Sequence, residues 1–354
     1  MSENTSNPID LLINNPQPYA PESIDDALFS AAMKQADTWH LNRNVNYAKL
    51  WETEANPLIP INLFKTMDLA TNTQLDGLWL NSSGTGQHGK TRVFFDNLSL
   101  KRIETAMVQI FLHNHLISTT PSRFLMLSPD PATGEHAGYA TAFLKFTQCA
   151  PIQELVFTVS EQGQFDSELA WSTLKRWAND PAPIYILGLT LFFEFLCLKR
   201  PEPFTLKSPI KGLTGGGWKG MTKQLERPEI IQGLQHVLQA PSVDIRDIYG
   251  MTEHPLHYIS CPEGHFHLPA YSRFSIMAED GSHAPENKNG LIVLESPLFA
   301  SIPSHRLLTQ DLGCWGNNCA CGQPLPFLRY LGRASTPEGT CAAQVKWKTH
   351  YKRV

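Results

Sequence analysis

Apolar residues recur along the chain at two spacings, which predict helices and strands in alternation. LSLKRIETAMVQIFLHNHLI has the apolar spacing of a helix, and SELAWSTLKRWAND predicts another helix that Asp166 or Ser167 can cap. Nearer the start, WHLNRNVNYAKLWE also predicts a helix. Short apolar runs in LDGLWLNSS, SRFLMLSPD and VDIRDIYGMTE predict strands. This alternation is typical of an α/β body.

The last third of the chain has a different pattern. GHFHLPAYSRFSIM and NGLIVLES predict strands joined by turns that contain Gly, Pro and Asn. The fold class expected is therefore α/β with a β-rich end. The most apolar run, from Pro183 to Leu198, is shorter than a membrane span requires and contains Glu194. It predicts a buried strand that leads into a buried helix.

Composition narrows the class of protein. The chain has 354 residues, 42% of them hydrophobic, which is enough for one large domain or two. Its net charge of -4 lacks the basic surface of a nucleic-acid binder. MSENTSNPID is too polar for a signal peptide, and seven cysteines, an odd number, indicate reduced thiols or metal ligands rather than disulfides. We therefore expect a cytoplasmic protein.

A turn rich in small residues directly follows the predicted strand LDGLWLNSS and is a candidate phosphate-binding loop. It consists of Ser82, Ser83, Gly84, Thr85 and Gly86. Small residues let backbone N–H groups surround an anion, and Lys90 lies close enough in sequence to neutralise a polyphosphate. The Walker spacing is absent. An exposed Gly/Ser hairpin is the alternative for this segment taken alone.

Four further segments supply groups that suit a nucleotide. IKGLTGGGWKG permits close backbone approach to a flat ligand, although a tight turn would have the same sequence. In DIYGMTEHP, Tyr249 offers a ring face, Thr252 a hydroxyl for a phosphate and Glu253 a carboxylate for Mg²⁺. Asp311 in LLTQDLG can accept hydrogen bonds from a ribose, and Arg333 in LGRAS can reach the ribose or the phosphates.

The order SSGTG, TGGG, YGMTE, TQDLG and LGR resembles the motif series of the adenylate-forming superfamily, which includes acyl-CoA synthetases, peptide-synthetase adenylation domains and luciferases. GGGWK, the chain length and GTCAAQV are most similar to the acyl-protein synthetase of the bacterial luminescence fatty-acid reductase complex. Phenazine-pathway relatives and phenylacetate-CoA ligases are next. The resemblance spans roughly residues 75 to 345, with YGMTE its most specific element.

The resemblance implies an ATP-dependent reaction in two steps. The carboxylate of an acid attacks the α-phosphate of ATP to give acyl-AMP and pyrophosphate, and a thiol then takes the acyl group. Ser82 to Gly86 would bind the pyrophosphate portion, while Gly216, Gly217 and Tyr249 would bind adenine, with Gly250 in the same nucleotide segment. The implied roles of the remaining residues are the α-phosphate for Thr252, Mg²⁺ for Glu253, ribose for Asp311 and the hinge for Arg333.

The sequence departs from the superfamily after the hinge. Full-length members continue into a C-terminal domain that carries a catalytic lysine, whereas 21 residues follow Arg333 here. We expect an adenylating domain over residues 1–332 and a short vestigial C-terminal segment over 333–354. Lys346, Lys348 or Lys352 could replace the lysine, although no motif supports any of them.

Two cysteine- and histidine-containing segments late in the chain form a candidate metal site. CPEGHFH provides Cys261 and His267, and CAC provides Cys319 and Cys321. Three cysteines and one histidine suit a structural, tetrahedral Zn²⁺, and phenylacetate-CoA ligase relatives have a similar cluster. Cys314 and His265 are alternative ligands, and unlinked thiols and histidines are the alternative to a metal.

Cys341 is the candidate acyl-carrying thiol. It follows the hinge motif, with Lys346, Lys348, Lys352 and Arg353 on its C-terminal side. Cationic neighbours favour the nucleophilic thiolate. In the luminescence synthetases a cysteine in the corresponding stretch passes the acyl group to a reductase; a bystander cysteine in a frayed tail is the alternative.

Three functions remain open at this point. The first is an acyl-protein synthetase-like ligase that loads a fatty or aromatic acid on Cys341 and passes it to a partner reductase or carrier. The second is an aryl- or acyl-CoA ligase, with coenzyme A as the acceptor. The third is a nucleotide-binding homologue without turnover, against which the retention of Thr252, Glu253 and Asp311 argues.

Overall fold

The structure is a computed structural model and describes residues 7–71, 73–81, 91–132, 138–217 and 225–334. The chain divides into two compact units. Unit 1 consists of Met1–Asn81, Thr91–Ile110 and Gly250–Val354, and unit 2 of Ser82–Lys90 and Phe111–Tyr249. Among the described helices, none has both the length and the apolar character that a membrane span needs.

The α-helices of the described residues are α1 (Pro8–Ile13), α2 (Asp26–Leu41), α3 (Val45–Thr53), α4 (Leu63–Thr66), α5 (Asn97–His113), α6 (Gly138–Phe146), α7 (Ser167–Arg176), α8 (Thr190–Leu198) and α9 (Arg227–Leu238). The strands are β1 (Ile59–Pro60), β2 (Gly77–Asn81), β3 (Arg92–Asp96), β4 (Ser122–Leu127), β5 (Ile152–Phe157), β6 (Ile184–Leu189), β7 (Ile210–Gly215), β8 (Val243–Met251), β9 (His254–Ile259), β10 (Phe266–His267), β11 (Arg273–Met277), β12 (Gly290–Glu295), β13 (Arg306–Gly316) and β14 (Phe327–Arg333).

Unit 2 is built on a parallel sheet. Its strands lie in the order β5-β4-β6-β7-β8, and each neighbouring pair is parallel. Every residue of β4 and β6 is buried, as expected for strands covered on both faces. Helix α8 follows β6 directly and packs on β6 and β7, so the strand and helix predicted within the apolar run are both present. The predicted α/β class is confirmed.

Unit 1 contains the β-rich end. Its main sheet has the order β10-β14-β13-β12-β11, antiparallel throughout, and β1 adds a parallel pair with β13. Met277, Leu291, Val293 and Leu308 form an apolar cluster on this sheet. Strands β2 and β3 form a separate antiparallel pair, with Gly77 opposite Asp96 and Asn81 opposite Arg92. The predicted strands after residue 260 are therefore present, and they form one sheet.

Side-chain caps explain where several helices begin and end. Asp166 accepts a hydrogen bond from the Leu169 amide at 2.8 Å and caps α7, as predicted. The single helix predicted over WHLNRNVNYAKLWE is wrong, because two helices share this segment. Asn44 accepts a hydrogen bond from the Tyr47 amide at 2.9 Å and caps the second of them, α3. Helix α5 ends at His113, and His115 has a φ of +55°, so the predicted helix does not extend to that residue.

A buried ionic network holds α2 and α3 to the sheet of unit 1. Asp37 on α2 forms two hydrogen bonds with Arg306, at 2.6 and 3.0 Å, and accepts one from the Tyr47 hydroxyl at 2.8 Å. His305 Nε2 lies 2.8 Å from the same carboxylate. Burial alone would raise the pKa of Asp37, but the bonds from His305 and Arg306 outweigh burial and hold it well below its ordinary value.

We expect Asp37→Asn to lower the free energy of unfolding by about 3 kcal/mol at pH 7, because it removes the nearer of the two carboxylates that pair with the mostly buried Arg306. The pKa of Asp37 is lower in the folded state, so this stabilisation exists above pH ~4 and is lost as pH falls. Thermal unfolding of both proteins against pH checks this. Asp26→Asn, on the exposed end of the same helix, should cost about 1 kcal/mol or less. Equal losses for the two variants would contradict the prediction.

Candidate functional site

In unit 2, the predicted adenine-binding residues lie at the carboxyl ends of two neighbouring strands. Thr214 on β7 is opposite Asp247 on β8, so Gly216 and Tyr249 each lie two residues past this pair. Gly216 and Gly217 have φ of 72° and 60°, values that favour glycine. Tyr249 is 6% exposed. The carboxyl edge of a parallel sheet is where α/β folds place ligands.

In unit 1, the rest of the YGMTE segment forms a tight turn before β9. A side chain at Gly250 would place its Cβ 2.6 Å from the Leu256 carbonyl oxygen, so only glycine fits. Thr252 and Glu253 occupy the turn itself. The glycine therefore allows the backbone to fold back closely, and the turn carries the two residues with predicted phosphate and Mg²⁺ roles.

Glu253 is a buried carboxylate with charged company. Glu253 is only 4% exposed. Burial raises the pKa of Glu253, while the neighbouring Thr91 hydroxyl and the charges of Lys65 and Arg333 oppose that rise. A buried carboxylate among cations and a hydroxyl is a suitable ligand for a hard cation. Sequence reasoning missed Thr91 and Lys65; the position of Thr91 directly after the predicted phosphate loop was the available signal for it.

Asp311 and Arg333 face each other across two antiparallel strands. Asp311 on β13 is opposite Arg333 on β14, and Arg333 Nε lies 3.6 Å from Asp311 Oδ1. Asp311 is 8% exposed, whereas the Arg333 side chain is 69% exposed. Since both Arg333 and Lys65 act on Glu253, unit 1 brings together three of the residues predicted from separate motifs, Glu253, Asp311 and Arg333.

The four predicted zinc ligands converge in unit 1. The ligand atoms of Cys261, His267, Cys319 and Cys321 all lie within 4.8 Å of one another. Cys261 Sγ is 3.8 Å from Cys319 Sγ, and His267 Nε2 is 3.3 Å from Cys321 Sγ. Two sulfurs on one tetrahedral zinc would be about 3.8 Å apart, and a sulfur and a nitrogen about 3.6 Å. The spacing therefore suits zinc.

The surroundings of the cluster separate its members from the alternatives. His267 Nδ1 lies 3.1 Å from the Leu325 carbonyl oxygen, which orients Nε2 towards the sulfurs. His265 Nδ1 instead contacts Cys319 Sγ at 3.2 Å, while its ring stacks on Phe327 with centroids 4.1 Å apart. Cys314 lies within β13 and is not a member of the cluster. His265 is thus a hydrogen-bond partner of a ligand sulfur.

Two predicted segments cannot be placed. Residues Ser82, Ser83, Gly84, Thr85 and Gly86, together with Lys90, lie outside the described residues. The same is true of Cys341 and of the basic residues that follow it in sequence. Their roles remain predictions from the sequence.

Comparison with known proteins adds a family and a fold. A structure of 2-hydroxyisobutyryl-CoA ligase in complex with 2-HIB-AMP and CoA in the thioesterification state has a TM-score of 0.66 at 13% identity, over 90% of this chain and 70% of the ligase. The same ligase in the postadenylation state, with R3-HIB-AMP, gives 0.63 at 12% identity, over 94% and 74%. No curated protein sequence gave a significant match.

The family comparison extends over most of the chain. The model of the family described as "Acyl-protein synthetase, LuxE" matches residues 41–348. That range contains the described nucleotide segments and the cysteine and histidine cluster. The chain therefore belongs to the LuxE acyl-protein synthetase family, and is an adenylate-forming ligase that activates a carboxylic acid as acyl-AMP and transfers the acyl group to a thiol.

Proposed function

We propose that the chain activates a fatty or aromatic acid with MgATP, loads it on Cys341, and passes it to an acyl-protein reductase or a carrier. The observation that carries this proposal is the buried Glu253 carboxylate in the company of Thr91, Lys65 and Arg333, with Asp311 opposite Arg333. The family match, which extends to residue 348 and so includes Cys341, supports the choice of acceptor.

The nucleotide roles are those that the motif order implies for each segment. In unit 2, Gly216, Gly217 and Tyr249 would accept adenine at the carboxyl ends of β7 and β8. In unit 1, Asp311 would accept hydrogen bonds from the ribose hydroxyls and Thr252 would donate to the α-phosphate. The Ser82 to Gly86 loop would hold the pyrophosphate portion. In this proposal residues 1–332 form the adenylating part, and the segment 333–354 carries the acceptor thiol.

Glu253 would hold Mg²⁺. Magnesium is usually bound by one or two carboxylates plus substrate phosphates, and a single buried carboxylate beside a hydroxyl fits that pattern. Bound Mg²⁺ would supply charge neutralisation on the phosphate oxygens.

Each of the two steps forms one bond and breaks another. A carboxylate oxygen of the acid forms a bond to the α-phosphorus, and the bond from that phosphorus to the bridging oxygen breaks, with the electron pair leaving on pyrophosphate. The Cys341 thiolate then bonds to the acyl carbon, and the bond from that carbon to the AMP oxygen breaks. The role of the chain in both steps is to position groups and to neutralise phosphate charge.

Zinc belongs to the same proposal as a structural ion. Cys261, His267, Cys319 and Cys321 would fill all four positions of a tetrahedral site, which leaves none for a substrate. Cys319 and Cys321 lie between β13 and β14, whereas Cys261 and His267 precede β11. A metal at this point would tie the β13–β14 connection to the segment around β10.

A labelling experiment tests the acceptor. We expect wild-type protein, with ATP, Mg²⁺ and a radiolabelled acid from a fatty and aromatic panel, to release pyrophosphate and hold an acid-stable, hydroxylamine-labile label. Cys341→Ser should release pyrophosphate but hold no such label, because a thioester needs the thiol. Cys314→Ser, which removes a different thiol, should keep the label.

Two outcomes would overturn the proposed acceptor. Equal labelling of wild type and Cys341→Ser would move the carrier to another residue. Adenylation without label on either protein would favour coenzyme A or a separate carrier protein. Absence of pyrophosphate release with every acid would instead favour a nucleotide-binding homologue without turnover.

A further inference from the structure

Strand pairing in unit 1 places the short helix α4 at the Asp311 end of β13. Strand β1 runs parallel to β13, with Pro60 opposite Leu308, and the Ile61 amide donates to the Leu308 carbonyl at 2.9 Å. Because the pair is parallel, the chain after Pro60 and the chain after Leu308 leave the pairing at the same end. Helix α4 begins two residues after Ile61, and Asp311 follows Leu308 by three.

Strand β14 also ends beside Asp311, and it runs antiparallel to β13. It lies on the side of β13 that β1 also occupies, and it ends with Arg333 opposite Asp311. Leu58, just before β1, and Ala334, just after β14, both pack against the apolar cluster of Met277, Leu291, Val293 and Leu308. The segment after β1, which contains α4, and the end of β14, which contains Arg333, are therefore neighbours.

A second contact ties α4 to Glu253. Helix α4 packs against β3. Thr91 lies directly before β3, and its hydroxyl is near enough to Glu253 to lower the pKa of that carboxyl. Lys65 lies on α4, is partly buried, and is close enough to Glu253 for its charge to act on the carboxylate. The structure thus places two cations near enough for their charges to act on one buried carboxylate, and only Arg333 belongs to a sequence motif.

The Lys65 ammonium lies near the Glu253 carboxylate but forms no ion pair with it. Among the residues that the structure describes, its Nζ has no hydrogen bond and no carboxylate within 4.0 Å. A partly buried ammonium with no protein partner in that part of the chain has three donors to offer an anion. MgATP, which the proposed function brings to Glu253, supplies several phosphate oxygens.

We propose that Lys65 contacts the phosphates of ATP and neutralises charge during adenylation, an inference that rests on the proposed function. As the acid oxygen bonds to the α-phosphorus, negative charge moves to the departing pyrophosphate with the electron pair of the broken P–O bond. The Lys65 ammonium stabilises that charge and transfers no proton. It takes no part in the later attack of the thiolate on the acyl carbon.

The test uses the full chain with three substitutions. Lys65→Met removes the charge and keeps the aliphatic length, Lys65→Arg keeps the charge, and Lys49→Met is a control on the exposed side of α3. We expect Lys65→Met to slow acid-dependent ATP–pyrophosphate exchange about 100-fold, as removal of one preorganised donor does elsewhere. Lys65→Arg should recover most of the rate, and Lys49→Met should match wild type.

A second measurement separates a phosphate contact from a merely structural lysine. Transfer of the acyl group from chemically prepared acyl-AMP should proceed equally in wild type and Lys65→Met, and their thermal unfolding should coincide. Wild-type exchange by Lys65→Met would overturn the proposal, as would equal slowing of the transfer step. If the wild-type protein shows no ATP–pyrophosphate exchange with any acid of the panel, the proposed function is wrong. MgATP binding by calorimetry then decides, because unchanged affinity in Lys65→Met would overturn the phosphate contact as well.

Discussion

Glu253→Gln will reduce acid-dependent ATP–pyrophosphate exchange by about 100- to 1,000-fold, the range found when one transition-state-stabilising group is removed. Glutamine keeps the size of the side chain and a carbonyl oxygen beside Thr91, but it has no charge with which to hold Mg²⁺. Metal-assisted neutralisation of the phosphates is lost, while the turn that contains Glu253 is retained. The measurement is the exchange rate over a range of Mg²⁺ concentrations at saturating ATP.

Glu295→Gln is the matched control for this substitution. Glu295 is also a glutamate of unit 1 whose pKa burial raises, but it lies on β12 between Arg273 of β11 and Arg306 of β13. Its charge pairs with Arg306, whose Nε lies 3.7 Å from Glu295 Oε1. We expect Glu295→Gln to exchange at a rate close to wild type. Wild-type exchange by Glu253→Gln, or equal losses in both variants, would remove Glu253 from the Mg²⁺ role.

The sequence predicts the individual helices and strands of this protein better than it predicts the contacts between them. Helix α7 and its Asp166 cap follow from apolar spacing and one short polar residue, which are local properties. The break between α2 and α3 was missed because Asn44 sits inside a helical pattern, and only its bond to the Tyr47 amide makes it a cap. Propensity within a window does not distinguish an interior asparagine from a capping one.

The candidate nucleotide residues divide in the same way. Gly216, Gly217 and Gly250 stand in recognisable motifs, and their backbone angles or close approaches explain why glycine is present. Lys65 stands in no motif. It lies near Glu253 because two residues of β1 pair with β13, a contact separated by about 250 residues in sequence. Pairings of that kind depend on the whole fold, so no local pattern announces them.

The sequence predicts the candidate zinc ligands as a set with alternatives, and only the three-dimensional structure distinguishes those alternatives. His265 and His267 lie on either side of Phe266, so sequence spacing suits both. The Leu325 carbonyl fixes the His267 ring with Nε2 towards Cys321, while stacking on Phe327 holds His265 with Nδ1 towards Cys319. Cys314 lies within β13, away from the turn that carries Cys319 and Cys321.

We expect purified protein to contain about one zinc per chain. Cys319→Ser will lose the zinc, and its free energy of unfolding will fall by an amount on the order of 3 kcal/mol. In a structural site the free energy of metal binding is also free energy of folding. Cys319 is central to the cluster, with Cys261 Sγ at 3.8 Å and His265 Nδ1 at 3.2 Å, and serine is a poor replacement for a thiolate ligand. Metal analysis by mass spectrometry and thermal unfolding measure the two losses.

Cys314→Ser is the control for the zinc prediction, because both residues are cysteines that are 7% exposed in unit 1. It should keep its zinc and lose less stability than Cys319→Ser. The ion would tie the β13–β14 connection, and the same two strands place Asp311 opposite Arg333. Cys319→Ser should therefore also bind MgATP more weakly than Cys314→Ser. Folded, chelator-free wild type that contains no zinc would contradict the assignment, as would Cys319→Ser that retains it; equal MgATP affinity in the two variants would limit the metal to stability.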